Sequence, residues 1–347
     1  MKIFTTEIIK QDDRAVIQAI FGRDKNIEWV VFGSRPVVDS NSVLTELDYI
    51  GNPDGTIRWL YPTRSRRPLF LSTYTSPSKK AAFYRKGIQI IFRLGLARVA
   101  RSGRMFIQHT PEANIADLPI KVSMSNYAVF TGTVGPNRKA VIALADRERV
   151  VEFAKVAVGP QASLHMKYEI HAQKKVATMK LESWRVPSGC SISAETTLQE
   201  NIAPPTTQIS SKLSHLHLSA IKEMTLATLS YEQSARNSFL TRVQDRLRAI
   251  ERGPSLAGMP RLVEQLQSLF QEASAMKRLP ICYSHGDFTP WNLFPSKTRL
   301  RAYDWELAGY RPALFDCIHF VFQNAVLVDR LSYAEIRSKI EMVFQYE

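Results

Sequence analysis

The sequence predicts an α+β protein in three parts, and three observations predict it. Short strand-like runs at residues 27–32, 56–61 and 69–74 precede a helical run at 79–100. Three closely spaced β-rich runs follow at 123–133, 139–145 and 150–158. From residue 210 onward, apolar residues recur at three- and four-residue spacing over 210–229, 232–252 and 259–276, the mark of helices with one buried face.

In the first part, Asn52-Pro53-Asp54-Gly55 has turn chemistry, since proline presets one dihedral and glycine accepts the return. Residues 47–50 are therefore expected to pair with 56–60. Gly87 and Gly95 weaken the helix over 79–100. The middle part reads as a β-meander followed by a helix over 161–180 and a short strand at 196–198. Paired prolines in Ala203-Pro204-Pro205-Thr206-Thr207 cannot continue a strand or a helix and suggest a connector. The expected divisions are 1–115, a basic α/β extension; 116–202, a β-rich N-terminal lobe; and 203–347, a helical C-terminal lobe. In the last part, strands at 279–283 and 300–303 interrupt the helices, which resume near 313 and 333.

The chain has 347 residues and a formal net charge of +14. Most of the excess is local: no acidic residue lies between Asp54 and Glu112, whereas twelve are basic, from Arg58 to Arg104. No nucleic-acid-binding motif accompanies the charge, so no nucleic-acid partner is expected. Cys190, Cys282 and Cys317 are widely spaced, without metal-ligand or disulfide patterning, and are expected to be buried free thiols. His215 and His217, two apart in a helical run, point to different faces and make a poor metal pair. Residues 1–14 lack the apolar run of a secretory signal, and no stretch approaches eighteen apolar residues. A cytoplasmic location is expected, peripheral to the inner membrane face if the basic segment meets anionic lipid.

Chemistry concentrates in Ser284-His285-Gly286-Asp287-Phe288-Thr289-Pro290-Trp291-Asn292 and in Ala302-Tyr303-Asp304-Trp305-Glu306. Phosphoryl transfer needs a carboxylate for the attacking hydroxyl, oxygen ligands for magnesium, and cations or amides for phosphate. Asp287 and Asn292 stand at the ends of a tight loop. Residues 293–294, a turn at 295–298 and a return strand at 299–303 then form a hairpin that carries Asp304 back toward Asn292. Strands so paired lie about 4.8 Å apart, so Asn292 and Asp304 are expected to share one magnesium ion. Trp291 and Trp305 are expected to pack rather than to bind substrate.

His-Gly-Asp, four residues, Asn, and an acidic triplet a dozen residues on resembles the aminoglycoside phosphotransferase and choline kinase-like family. The resemblance implies a two-lobed protein-kinase-like fold with the extra N-terminal α/β unit added to it. It implies Mg2+ as cofactor and ATP or GTP as co-substrate. It makes Asp287 the catalytic, hydroxyl-orienting carboxylate and makes Asn292 and Asp304 metal ligands. Lys155, in Val151-Glu152-Phe153-Ala154-Lys155-Val156, resembles the strand lysine that contacts the inner phosphates, and Glu169 its helix partner. Gly132 and Gly135 lie where the family has its nucleotide-covering turn; without a third glycine, an ordinary hairpin turn fits them equally well. Asp316 is either the family's later aspartate, which steadies the catalytic loop, or a cap at a helix start.

The acceptor is expected to be a hydroxyl of a small molecule or sugar. Acidic and basic residues are mixed from 210 to 347, which counts against a cationic aminoglycoside or choline acceptor. Apolar and basic residues alternate between Lys80 and Arg104, a composition suited to an anionic membrane surface or a lipid-linked glycan, such as a cell-envelope glycan precursor. A basic helix packed on the lobe with its cations solvated is the plainer reading. The rival from another class is a catalytically silent kinase-fold binding module, disfavoured because Lys155, Asp287, Asn292 and Asp304 are all present.

Overall fold

The computed structural model describes residues 1–5, 10–37, 42–74, 79–147, 149–203, 210–233, 238–252, 260–276 and 278–343. In chain order the elements begin with β1 (Lys2–Thr5), α1 (Gln11–Phe21), β2 (Ile27–Phe32), β3 (Val43–Gly51) and β4 (Ile57–Pro62). They continue with α2 (Lys79–Arg93), α3 (Ala97–Ala100), β5 (Gly103–His109), β6 (Tyr127–Phe130), β7 (Lys139–Asp146), β8 (Arg149–Ala157) and α4 (Pro160–Thr178). Next come β9 (Trp184–Arg185), β10 (Gly189–Ser191), β11 (Thr196–Glu200), α5 (His215–Thr228), β12 (Ser230–Gln233), α6 (Ser238–Arg252) and α7 (Pro260–Ala275). The last are β13 (Arg278–Ser284), β14 (Leu293–Pro295), β15 (Leu300–Ala302), β16 (Gly309–Pro312), α8 (Phe315–Asn324) and α9 (Tyr333–Val343). This is the α+β class that the sequence predicts, with the strand of Lys155, the helix of Glu169, the Asp287 loop and the hairpin in the expected chain order.

The chain forms two compact units. The first holds Met1–Thr178, Val186–Ser210 and Arg301–Glu306; the second holds Met179–Arg185, Ser211–Leu300 and Leu307–Glu347. One ten-stranded sheet, in the order β1-β2-β5-β3-β4-β6-β7-β8-β11-β10, runs through the first unit. Residues 1–115 and 116–202, expected as separate divisions, thus share a sheet, joined where Trp59 and Leu60 of β4 pair with Phe130 and Val129 of β6. Val16, Ile17, Ile20 and Phe21 of α1 bury its apolar stripe against sheet residues that include Val30, Leu47, Ile107 and Ile142. Each such large side chain contributes roughly 1.5–3 kcal/mol relative to exposure. Pro204 to Thr207 of the expected connector and Met259 of the expected helix start lie outside the described residues.

The hairpin β3–β4 forms in the predicted place: Gly55 donates to the carbonyl of Asn52 at 2.9 Å, and Asn52 to that of Thr56 at 2.7 Å. Four expectations need correction. Residues 69–74 are not a strand but a short 3-10 helix, Leu69–Thr73, because the Ser72 and Thr73 hydroxyls donate to the carbonyls of Leu69 and Phe70 three residues back. The helix over 79–100 is broken at Leu94 to Leu96, where Gly95 takes φ +72°. Residues 123–133 supply only the four-residue β6. Cys190 is exposed, on the edge strand β10, while Cys282 and Cys317 are buried. Strand β5 follows a run of basic residues and is not among the expected strands, and β12 takes residues 232 and 233, expected as the start of the helix over 232–252, which instead is described from Ser238.

In the second unit, α5 packs on the 284–292 segment through His217, which is 1% exposed. Its Nδ1 accepts from the backbone of Ser214 at 3.2 Å, and its ring meets those of Phe288 and Phe320 at 6.1 and 5.4 Å. Burial disfavours the imidazolium and lowers the pKa from 6.5 to about 4. The folded protein therefore binds fewer protons here than the unfolded chain between those two values, so stability falls as pH falls through that window. The loss is on the order of 2–3 kcal/mol. Thermal melts from pH 7 to pH 4 should show His217→Gln losing less melting temperature than wild type, since glutamine keeps a polar partner for Ser214 and does not titrate.

Candidate active site

Two clusters carry the residues singled out from sequence, one in each unit. In the first unit, β7 and β8 pair antiparallel with Val141 opposite Lys155, and Pro160 starts α4 directly after Gly159. The return of α4 brings Glu169 to Lys155 Nζ, with Oε1 and Oε2 at 2.6 and 2.7 Å. Lysine and glutamate side chains are 6% and 1% exposed, so this is a buried, doubly hydrogen-bonded ion pair. Gln173, one turn further on, donates to Gln199 Oε1 at 3.0 Å, and more weakly to Glu169 at 3.4 Å.

Arg301–Glu306 enters the same unit. Arg301 donates to the carbonyl of Ile202 at 2.7 Å, and Tyr303 donates to Asn201 Oδ1 at 2.8 Å and accepts from the amide of Ala203 at 2.6 Å. The next residue, Asp304, has φ +62°, a left-handed conformation that aspartate tolerates at a cost of about 1 kcal/mol or more. Its Oδ1 accepts from Lys155 Nζ and from Lys139 Nζ, both at 2.9 Å, and Lys139 also reaches Glu306 Oε2 at 2.5 Å. The result is a row of alternating charge: Glu169, Lys155, Asp304, Lys139, Glu306. Burial opposes the charged forms of both Asp304 and Lys139. The two ammonium groups nevertheless hold Asp304 well below the ordinary carboxylate range, and the carboxylates of Asp304, Glu169 and Glu306 hold Lys139 well above its usual value. Glu306 is pushed up, first by burial and then by the adjacent Asp304 charge.

Gly132 begins the turn into β7. Its φ is +76°, and a Cβ there would lie 2.1 Å from the carbonyl oxygen of Lys139, so only glycine fits. Gly135, at φ +153°, faces open space. Lys139 gave no signal in sequence beyond being the last residue of that turn, since its partners come from residues some 165 positions away.

In the second unit, β13 leads into the segment 285–292. Asp316, buried on α8, accepts from the amides of His285 at 2.7 Å and Gly286 at 3.0 Å. Of its two readings from sequence, the loop anchor is the one realised, and it makes no side-chain cap. Burial raises the Asp316 carboxyl against the opposing pull of His285 and the two amides. Gly286, at φ +83°, would place a Cβ 2.2 Å from the carbonyl oxygen of Leu307, which excludes any side chain. His285 acts as scaffold, its Nδ1 accepting from the amide of Asp287 at 3.2 Å. Asp287 then meets Asn292, whose Nδ2 donates to Oδ2 at 2.9 Å, and His319, whose Nε2 lies 3.2 Å from Oδ1. With its amide nitrogen committed to Asp287, Asn292 has its carbonyl oxygen left to meet a cation. From sequence alone His319 has no role; it lies three residues after Asp316, almost one helical turn along the same face of α8, and that spacing is the one local feature that could have drawn attention to it.

The hairpin after Asn292 is formed: the amide of Ser296 donates to the carbonyl of Arg299 at 2.9 Å, and β14, β15 and β9 make a three-stranded sheet. Trp305 is fully buried, its Nε1 donating to the carbonyl of Ala302 at 2.9 Å, in keeping with a packing role. Among the described residues, no three His, Cys, Asp or Glu side chains cluster as a metal centre, and His215 is exposed while His217 is buried. Among them too, no helix is long and apolar enough to cross a membrane.

Residues 212–336, the stretch that holds Asp287, Asn292 and Asp304, match the model of the phosphotransferase enzyme family. No curated protein matches the chain in sequence. Among solved structures, the chain is similar to a gentamicin complex of APH(2")-IIa, with 14% identity, 65% of this chain and 78% of that one covered, and a TM-score of 0.42. ADP-bound aminoglycoside phosphotransferase APH(2'')-Ib gives 15% identity, 65% and 79% coverage and a TM-score of 0.42. A choline/ethanolamine kinase family protein from Mesorhizobium loti gives 13%, 61% and 73%, and 0.38. Likeness at this level reaches neither acceptor nor nucleotide.

Removing one member of a buried, hydrogen-bonded ion pair leaves an uncompensated charge, at a cost of about 3–5 kcal/mol. Lys155 keeps Asp304 as a second partner, so Glu169→Ala should destabilise by about 3 kcal/mol, at the low end of that range, and Glu169→Gln by less. Urea denaturation of the two variants against wild type measures the difference.

Proposed function

We propose that the chain is a kinase that moves the terminal phosphoryl group of ATP or GTP onto a hydroxyl of a small molecule or sugar. The observation that carries the reading is Asp287: a carboxylate 29% exposed, gripped by Asn292 and His319, on a loop whose backbone Asp316 holds by two hydrogen bonds. An oxygen so placed can accept the hydrogen bond of an incoming alcohol and orient it for attack. As the phosphoryl group is transferred, the alcohol proton has Asp287 as its nearest base.

Lys155, fixed by Glu169, binds the inner phosphates of the nucleotide, and the turn at Gly132 and Gly135 offers backbone amides to them. Asp304 is held ionised by its lysine neighbours, and Asn292 keeps an amide oxygen free. These are hard oxygen donors of the type magnesium prefers, and two protein ligands with phosphate oxygens and water suit that ion. That Asn292 and Asp304 serve one ion rests on the sequence pattern of the motif and its hairpin. Magnesium would supply neutralisation of phosphate charge during transfer.

Asp287→Asn should cut transfer by about 100-fold or more and leave nucleotide affinity within a few fold, whereas Asp304→Ala should also lose magnesium-dependent nucleotide binding. Equal and full turnover in both, measured as magnesium-dependent phosphate transfer to a panel of sugars, would remove the reading.

A second observation bears on where the acceptor resides. The face of α2 and α3 away from the core exposes Phe83, Ile90, Leu94 and Val99 by 81%, 55%, 66% and 73%, among Lys80, Lys86, Arg93 and Arg98. Such a face suits an anionic lipid surface, and with it a lipid-linked glycan acceptor at the inner membrane face of the cytoplasm. Vesicles rich in phosphatidylglycerol should retain the protein at low salt, with retention falling several-fold in Phe83→Ser/Leu94→Ser and at high ionic strength; neutral vesicles should not retain it.

A further inference from the structure

Lys139 is the second ammonium group on the Asp304 carboxylate, beside Lys155. Lys155 already pairs with Glu169 and Asp304, so a second ammonium on the same Asp304 oxygen adds repulsion between like charges as well as attraction. Yet its side chain is only 15% exposed, and the turn that starts at Gly132 is folded so closely onto its backbone that no other residue fits at 132. The carboxylates that hold it, Asp304 and Glu306, are the hard oxygen donors that a divalent cation would claim. Once they turn to such an ion, the ammonium must find another anion, and the turn proposed to cover the nucleotide brings phosphate to it.

We propose that Lys139 is a second phosphate-binding cation of the nucleotide site, selective for the terminal phosphoryl group. This rests on the kinase reading above. Lys155 serves the inner phosphates, which ATP and ADP share; Lys139 answers the additional negative charge of the triphosphate. Glu306 parks the ammonium when no nucleotide is present and keeps the lysine stem pointed inward.

Isothermal titration of wild type, Lys139→Met, Lys139→Arg and the double variant Lys139→Met/Glu306→Gln with ATP and with ADP, each with magnesium, tests this. Lys139→Met should weaken ATP binding by about tenfold or more and ADP binding by less than about threefold, the difference expected for one lost charge-assisted contact. Lys139→Arg should recover most of the ATP affinity. The double variant removes the cation together with the anion it would leave unpaired, so the same ATP-selective loss at a wild-type melting temperature separates lost phosphate contact from lost stability. ATP and ADP affinities that change by one common factor, or not at all, overturn the assignment of Lys139 while leaving the kinase reading intact. A wild-type protein that binds neither nucleotide overturns both.

Discussion

The carboxylate of Asp304 is the point on which the first unit's chemistry turns. It sits in a left-handed backbone conformation immediately after Tyr303, whose hydroxyl is tied to Asn201 and Ala203. It meets two ammonium groups at equal distance, from strands β7 and β8. Neither lysine would be tolerated at its burial without the acids, and the acids would repel each other without the lysines. The five charges from Glu169 to Glu306 are therefore a single electrostatic object. The segment Arg301–Glu306 completes it after the chain has passed through most of the second unit.

The second unit solves a different problem, that of holding an acidic loop rigid with little regular structure in it. Asp316 does so through two backbone amides, Gly286 by allowing the loop to lie against the carbonyl of Leu307, and Phe288 by inserting among Trp184, His217 and Phe320. The Asp287 carboxylate is then set by neighbours whose own positions are fixed by packing, the condition that the proposed reading requires of a preorganised site. His217 is a buried imidazole that serves packing and hydrogen-bonds the amide and hydroxyl of Ser214, and His319 is the histidine that reaches Asp287.

The basic excess also becomes intelligible on the fold. Helix α2 buries Ala81, Ile88 and Phe92, the last two packing beside Trp59, Tyr61 and Phe70, and turns Phe83, Ile90, Lys80, Lys86 and Arg93 outward, while Arg85 turns in to the carbonyl of Tyr74. An amphipathic helix ordinarily has one apolar face. This one has two, and the second is set among cations with no acid within the segment from 55 to 111 to balance them. That is why the periodicity over 79–100 separates only in part.

The sequence by itself determined the class of fold, the strands that flank the Asn52 to Gly55 turn, the meander of β7 and β8, the helix carrying Glu169, and the catalytic loop with its hairpin. These are written in local spacing and turn residues, which depend on near neighbours in the chain. The family resemblance of its motifs, rather than spacing alone, pointed to Lys155 and Glu169 as partners, and the structure places them in contact. Only the tertiary structure decided that the first 115 residues and the following strands make one sheet, since edge-to-edge pairing of β4 with β6 is a contact between residues some seventy positions apart. It decided likewise that Lys139 joins Asp304, that Asp316 anchors the loop rather than capping its helix, and that His319 reaches Asp287. Each is a polar side chain whose role is set by which distant group it meets, and spacing along the chain does not name that group.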